Sequence, residues 1–471
     1  MLLHIAKKEL TETLRERRFQ LSALIIAILM IVSALVSKNY YEKVRNEHEL
    51  AMQTSRQQWE NQGAKNPHSA AHYGTYAFKP IQSLSLIDNG LEKYLGVSIF
   101  MEAHRQNDAQ YKLIADQNSF ARFGEMTPAF VMTYLIPLLI ILIGFSSLSG
   151  EKERGTLKLL LSQGLSKTSL VLGKIIGVWL SVGLLVLPLF LIGLLVLLST
   201  NNYQAEDVSR YGLIVLTYLL YFGVFINLSV LFSAFSKNSN VALVSLIGFW
   251  IVSCLVVPKF TANLSKYLYP TPTATEYQAS LKESLEKGID GHNPYNEFAK
   301  AFEDSVLKAN KVDSLHQLPF NYWGLVMQAG EEHERVVYDK HVQMLNNTYL
   351  AQLRLHKVGA VFSPTSLTKM LTMQFAKTDL QAHFHFAKKA EDYRIALVGQ
   401  MNKEIEVNSK YDDWDYIPSD PKFFEKSVKF EYQPITLTET MQFATNNLLL
   451  LGFWFGITLG VTAFLGKKIN I

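Results

Sequence analysis

A chain of 471 residues that is 49% hydrophobic and only 18% charged carries too little charge for an ordinary soluble protein and too much for a bare bundle of membrane spans. The net charge of +4 gives no footing for nucleic acid. The single cysteine, Cys254, lies in an apolar run, which excludes a disulfide framework and a cysteine-based metal centre, so the aqueous parts must fold on packing alone.

The chain opens with "LLHIAKKELTETLRERRF", in which Leu3, Ile5, Leu10 and Leu14 alternate with charges. Apolar and basic residues separate onto faces, which predicts an amphipathic helix over residues 1–18 lying on lipid rather than a plain charged flank. Phe19–Ser37 follows as the first of six runs of about 20 apolar residues, the length at which a helix spans a bilayer. It is long for a signal peptide, and Lys38 follows without a small-x-small site, so it reads as a retained anchor.

The segment Lys38–Pro128 is aqueous. A polar helix is expected over Tyr40–Asn61, breaks at Asn66–Pro67 and Lys79–Pro80, and a second helical stretch over about Ile81–Ala121. The remaining apolar runs are Ala129–Leu148, Leu170–Leu198, Gly212–Ala234, Val241–Val257 and Ala444–Leu465. Lys174, at the start of the third, is placed to snorkel to the interface. Lys and Arg crowd residues 1–18, the 149–169 loop, Lys237 and the 466–471 tail. The positive-inside rule then puts both termini in the cytoplasm, and Lys38–Pro128 and Pro258–Phe443 outside.

The larger aqueous segment reads as long helices over about Glu331–Val358 and after Ser363–Pro364. In the latter, Phe386, Ala390, Tyr393, Leu397 and Met401 form an apolar seam that calls for a partner helix. The fold class is therefore all-α: six membrane helices with a mainly helical outer domain built from the first and last loops. His383 and His385 could share a face only on a strand; on a helix they point apart, so a packing role is expected and no metal site. "EEHER" (Glu331–Arg335) lacks the second histidine of a zinc-protease motif and reads as a solvated helix face. Two small-residue rows, Gly173–Gly177–Ser181 and Gly452–Gly456–Gly460, are read as packing within the bundle.

The most specific stretch is "SGEKERGTLKLLLSQGLSKTSLVLGK", Ser149–Lys174. Gly155 breaks the chain, Thr156 is a candidate N-cap for a short helix Leu157–Ser162, Gly164 ends it, and Ser166 caps the next. Such a leucine-rich helix in a short loop either lies on lipid or docks in a partner's groove.

The pattern Glu-Lys-Glu-x-Gly-Thr-Leu-x-x-Leu-Leu, then Ser-Lys and Gly-Lys entering a span, resembles the coupling helix of ABC-2-type transporter permeases. These have six spans, an amphipathic helix before the first, and this motif after the second. Gly164 and Lys167 stand where the family usually has Pro and Arg. The resemblance implies that Glu151, Lys152, Glu153, Gly155, Thr156, Leu157, Leu160 and Leu161 contact a separate ATP-binding subunit. It also implies a second permease, identical or homologous, and a path near the first, second and fifth spans, with Ser22, Ser33, Thr133, Tyr134, Ser245, Phe249, Trp250 and Ser253 as candidate lining residues. "FSPTSLTKMLTMQFAKTDLQAHFHFAKKAEDYR" (Phe362–Arg394), "WDYIP" and "FEYQP" resemble the DUF3526-type bacterial permeases of the inner membrane, whose periplasmic domains are enlarged.

No Gly-x-x-x-x-Gly-Lys-Ser/Thr motif occurs, so ATP and Mg²⁺ are expected on the partner and no cofactor in this chain. No apolar run holds an Asp, Glu or His to relay protons. An exporter is the leading expectation. A mechanotransmitter that moves its outer domain without cargo is the second, recognisable by a plugged bundle with span helices running on beyond the membrane. A membrane-anchored receptor or enzyme is the third, disfavoured because no nucleophile–base set converges. Lipid, and another envelope protein at the outer domain, complete the expected partners.

Overall fold

The computed structural model describes residues 1–112, 126–200 and 202–468. In chain order these form α1 (Leu2–Arg15), α2 (Arg17–Glu60), α3 (Pro67–Tyr73), β1 (Thr75–Phe78), β2 (Ser98–Glu102) and β3 (Arg105–Gln106). Next come α4 (Pro128–Glu153), α5 (Thr156–Ser162), α6 (Lys167–Leu198), α7 (Ala205–Phe235) and α8 (Ser239–Leu268). The chain continues through α9 (Ala274–Leu285), α10 (Glu297–Asn310), α11 (Tyr322–Ala360), α12 (Pro364–Ala376), α13 (Leu380–Asn408) and α14 (Leu437–Gly466). Six of these helices, α2, α4, α6, α7, α8 and α14, are long and apolar enough to cross a membrane, and each contains one of the six apolar runs. The final residues of the expected tail, 469–471, lie outside the described residues.

The bundle is built around α7. In its most apolar window 72% of residues are buried, and in α4 67%, against 17–33% in the other four. Tyr218, Tyr221, Phe222 and Phe225 fill the centre, while α2, α6, α8 and α14 present leucine, isoleucine and phenylalanine outward. A helix apolar all round is either central or lipid-facing, and only packing separates the two. In α4 and α8 single π turns interrupt the helix at Val131–Leu135 and Val252–Val256, each followed by a proline, Pro137 and Pro258, that cannot donate to the preceding turn.

α2 is continuous for 44 residues, about 66 Å at 1.5 Å per residue. A hydrocarbon core of roughly 30 Å takes up less than half of it. Its polar half runs into a unit made with α3, the sheet, α9–α11 and α13. There the expected second helical stretch holds instead a short 3₁₀ turn (Ser83–Leu86) and strands β2 and β3, which join β1 in an antiparallel sheet of order β1-β2-β3; its end, from residue 113, lies outside the described residues. β1, β2 and β3 are only four, five and two residues long, too short a signal against a helical reading.

The seam on α13 finds no single partner helix. Phe386 and Ala390 pack on the sheet residues Ala77, Ile99 and Met101, and Leu397 and Met401 pack on Trp59, Ala70 and Ala71. His385 Nδ1 lies 3.1 Å from the Tyr432 hydroxyl, a packing contact. The Glu331–Arg335 face is not solvated throughout. Glu331 is buried and accepts from the fully buried Arg394 at 2.9 Å, which also donates to Glu391.

Candidate functional site

The 149–169 loop folds as the glycines require. Gly155 (φ +74) and Gly164 (φ +81) both take the left-handed conformation, which lacks the Cβ penalty only for glycine. Between them lies α5, two turns long. Ser166 caps α6, its hydroxyl accepting from the Ser169 amide at 3.1 Å. Gly155, not Thr156, occupies the N-cap position of α5; the Thr156 hydroxyl instead donates to the Glu151 carbonyl at 3.2 Å.

The charged triplet before α5 is spent inside the chain. Lys174 Nζ donates to Glu151 Oε1 at 2.7 Å and to Glu9 Oε2 at 2.6 Å, all three side chains being buried. Lys152 donates to the Ala234 carbonyl at the C-terminus of α7, where the helix leaves carbonyls without partners. Glu153 accepts from the Ser239 amide at 2.7 Å and its hydroxyl at 3.0 Å, at the N-terminus of α8, the end that favours an anion. Burial raises the Glu9 carboxyl above its ordinary value, against the pull of Lys174.

The residues of the expected contact set are placed differently within the chain. Glu151 and Leu157 are buried within the chain. Leu160 and Leu161 are half-buried against the bundle core. The residue that stands out is Leu159, 59% exposed, beside exposed Glu153, Arg154, Gly155, Thr156 and Lys158. Lys174 does not snorkel; it is the buried counter-ion of two carboxylates.

The two glycine rows have different surroundings. Gly173 and Gly177 face α1 rather than another span. A Cβ at Gly173 would lie 2.7 Å from the Ile5 Cβ, and one at Gly177 would collide with Glu9. Ser181, the third of the row, is buried and bonds its own helix at the Gly177 carbonyl. Among the described residues nothing lies within 4 Å of a Cβ at Gly452, Gly456 or Gly460.

A second polar site forms around α12. The tip between α11 and α12 reaches the bundle. The Ser253 hydroxyl meets Thr365 Oγ1 at 2.9 Å, and Ser363 Oγ donates to the Ser253 carbonyl at 2.7 Å. The Tyr221 hydroxyl donates to the Thr133 carbonyl at 2.8 Å and lies 3.0 Å from Thr365 Oγ1. Trp454 Nε1 donates to the Val361 carbonyl at 2.9 Å. At its other end α12 is held by fully buried Arg210, which donates to the Phe375 carbonyl (3.4 Å), the Ile435 carbonyl (2.7 Å), Thr440 Oγ1 (3.1 Å) and Glu206 (2.7 Å). Lys377 Nζ donates to Asp207 at 2.8 Å. Arg210 and Tyr221 are eleven residues apart on α7, so α12 descends roughly 16 Å along it. Leu367, Leu371 and Phe375 are fully buried in the bundle core.

Of the candidate path residues, this tip gathers Thr133 and Ser253. Tyr134 and Trp250 are joined beside it, Trp250 Nε1 donating to the Tyr134 carbonyl at 3.3 Å. Phe249 stacks edge-on against Phe225, 5.6 Å away. Ser33 is buried against its own helix at the Met30 carbonyl, and Ser22 and Ser245 are half-buried away from the tip. The sequence reading missed Thr365, Tyr221 and Arg210; the signal was "SPTS" with three hydroxyls at the start of a helix. Residues 3–419 match the model of the family described as "ABC-2 family transporter protein". No curated protein matches the chain.

Proposed function

This chain belongs to the ABC-2 family of transporter proteins, as a multi-pass membrane protein and the permease subunit of an ABC transporter, and from that premise we propose that it is an exporter driven through α5 by a separate ATP-binding subunit. The carrying observation is the construction of the loop. Leu159 is offered outward on a short helix, and the residues just before that helix are bound to α6, α7 and α8 at once. A push on α5 is then shared by three spans instead of being absorbed by a flexible loop. ATP and Mg²⁺ belong on the partner, and a second permease completes the path. On this reading the site is the bacterial inner membrane, and the unit around α2, α11 and α13 is the enlarged periplasmic domain of the DUF3526 type, open to lipid and to another envelope protein.

Replacing Leu159 with Asp tests this. The side chain is exposed, so insertion and thermal unfolding are expected to stay as in the parent, while co-purification of the ATP-binding subunit from membranes falls at least tenfold. Undiminished co-purification would remove α5 as the docking element.

Two observations favour mechanotransmission as a second reading. α2 runs unbroken from the bundle into the polar unit, and α12 fills the bundle between α7, α8 and α14. Cys254 Sγ lies 3.2 Å from the Thr365 hydroxyl, so oxidising a Thr365→Cys variant should tie α12 to α8. If α12 lifts to release cargo, oxidation stops export in the reconstituted complex and a reductant restores it. If force alone passes through α2, oxidation leaves ATP-driven motion of the polar unit intact.

A further inference from the structure

Four histidines far apart in the sequence converge in the polar unit. His68 and His72 sit one turn apart on α3, His104 lies in the β2–β3 turn, and His292 lies in the loop between α9 and α10. Their Nε2 atoms are close: His68 to His292 2.9 Å, His68 to His72 3.0 Å, His72 to His292 3.4 Å. His104 closes the group, its ring centroid 4.4 Å from that of His292 and 5.3 Å from that of His72. One ligand nitrogen from each of the four falls within 4.8 Å of every other.

Ordinary packing does not account for this set. A neutral imidazole carries one N–H, and converging nitrogens bring lone pairs together. His104 Nε2 is buried with no hydrogen-bond partner among the described residues, as suits an atom whose partner is a metal ion. A metal held 2.0–2.1 Å from nitrogens at tetrahedral corners spaces them about 3.3–3.4 Å apart. The three separations above lie at or just under that edge.

The surroundings fix the rings as metal sites require. His104 Nδ1 lies 3.1 Å from Glu331 and 3.1 Å from Glu334, the carboxylate–histidine arrangement that sets the tautomer and leaves Nε2 to the metal. The His104 amide donates to Glu331 at 2.6 Å, and its backbone is held at φ +61, an uncommon conformation that turns the side chain toward the other three. His292 is set by its neighbour: a Cβ on Gly291 would lie 3.0 Å from the Met327 Cα, and one on Gly330 2.9 Å from the Gly291 nitrogen. Only glycines let the loop lie this close to α11.

We propose that His68, His72, His104 and His292 bind one late first-row divalent metal ion, Zn²⁺ by preference, which clasps the first polar segment to the second. Imidazole suits Zn²⁺, Cu²⁺ and Ni²⁺ over Mg²⁺ or Ca²⁺. Four protein ligands fill a tetrahedral zinc shell, so the ion is structural and holds no open position for catalysis. His72 and His292 are exposed, which gives the ion a way in. The clasp is independent of which subunit drives the spans.

The test uses the full chain in detergent, freed of any affinity tag and stripped with chelator, then titrated with Zn²⁺ against a chromophoric competitor. One Zn²⁺ per chain is expected, and Co²⁺ should give the intense visible bands of a tetrahedral site. A double His72→Ala, His292→Ala variant, both exposed and so without a burden on folding, should bind at least 100-fold more weakly with an unchanged metal-free unfolding midpoint. Glu334→Gln should weaken binding about 10–100-fold at the same stoichiometry. No saturable binding by the parent, binding unchanged in the double variant, or weak octahedral Co²⁺ bands would each overturn the assignment.

Discussion

Replacing Lys174 with Met is expected to destabilise the chain by about 3–5 kcal/mol, the usual consequence of removing one partner from a buried ionic group. The ammonium lies between Glu9 and Glu151 at 2.6 and 2.7 Å, and Lys8 stands off Glu151 at 3.6 Å. Without Lys174 the one group opposing burial at Glu9 is gone, so burial pushes that carboxyl higher still. Glu151, with Oε2 already unpartnered, is left with the partly exposed Lys8 at 3.6 Å as its remaining cation. α1 should then lift from the Gly173–Gly177 track. Thermal unfolding in detergent and protease cleavage within residues 1–18 would both report it. A triple change, Lys174→Met with Glu9→Leu and Glu151→Leu, should recover most of the lost stability, because desolvating the charges offsets much of their attraction. A Lys174→Met midpoint equal to the parent's would show that the three groups do not act as one network.

Arg210→Leu is expected to have the second-largest effect, about 3 kcal/mol, through buried acceptors left without a donor. The guanidinium joins α7 to the end of α12 and to the start of α14 through the Phe375 carbonyl, the Ile435 carbonyl and Thr440. No other side chain supplies five donors in a fixed fork, so Arg210→Lys should recover only part. The loss should be local first. Cleavage near residues 361–379 should rise before the bundle unfolds, since Lys377–Asp207 and the Thr365 cluster still hold α12. Unaltered cleavage there would separate Arg210 from the anchoring of α12.

What was readable from the residues follows from range. A membrane helix satisfies its backbone within its own segment, so each of the six apolar runs declared itself, and each lies in one helix of the structure. The break at Gly155, the end of α5 near Gly164 and the cap at Ser166 were readable for the same reason: they are local backbone conformations. Lys174 was misread because its partners are 165 and 23 residues away, and hydropathy registers a charge without its counter-ion. The rows at Gly173 and Gly452 look alike as small-x-x-x-small, yet one takes up α1 and the other meets none of the described residues within 4 Å of its Cβ positions.

The sequence by itself determined the six helices long and apolar enough to cross a membrane, the amphipathic start and the leucine-bearing loop helix, since periodicity and turn chemistry act over a few residues. Only the tertiary structure decided that Glu151 and Leu157 turn inward and Leu159 outward, that α12 seats in the bundle rather than in water, that two short strands stand within an expected helix, and that histidines 68, 72, 104 and 292 meet. Each depends on which distant surface arrives to bury or pair a group. That is settled by the sum of packing and desolvation over the whole fold, and no local pattern encodes it.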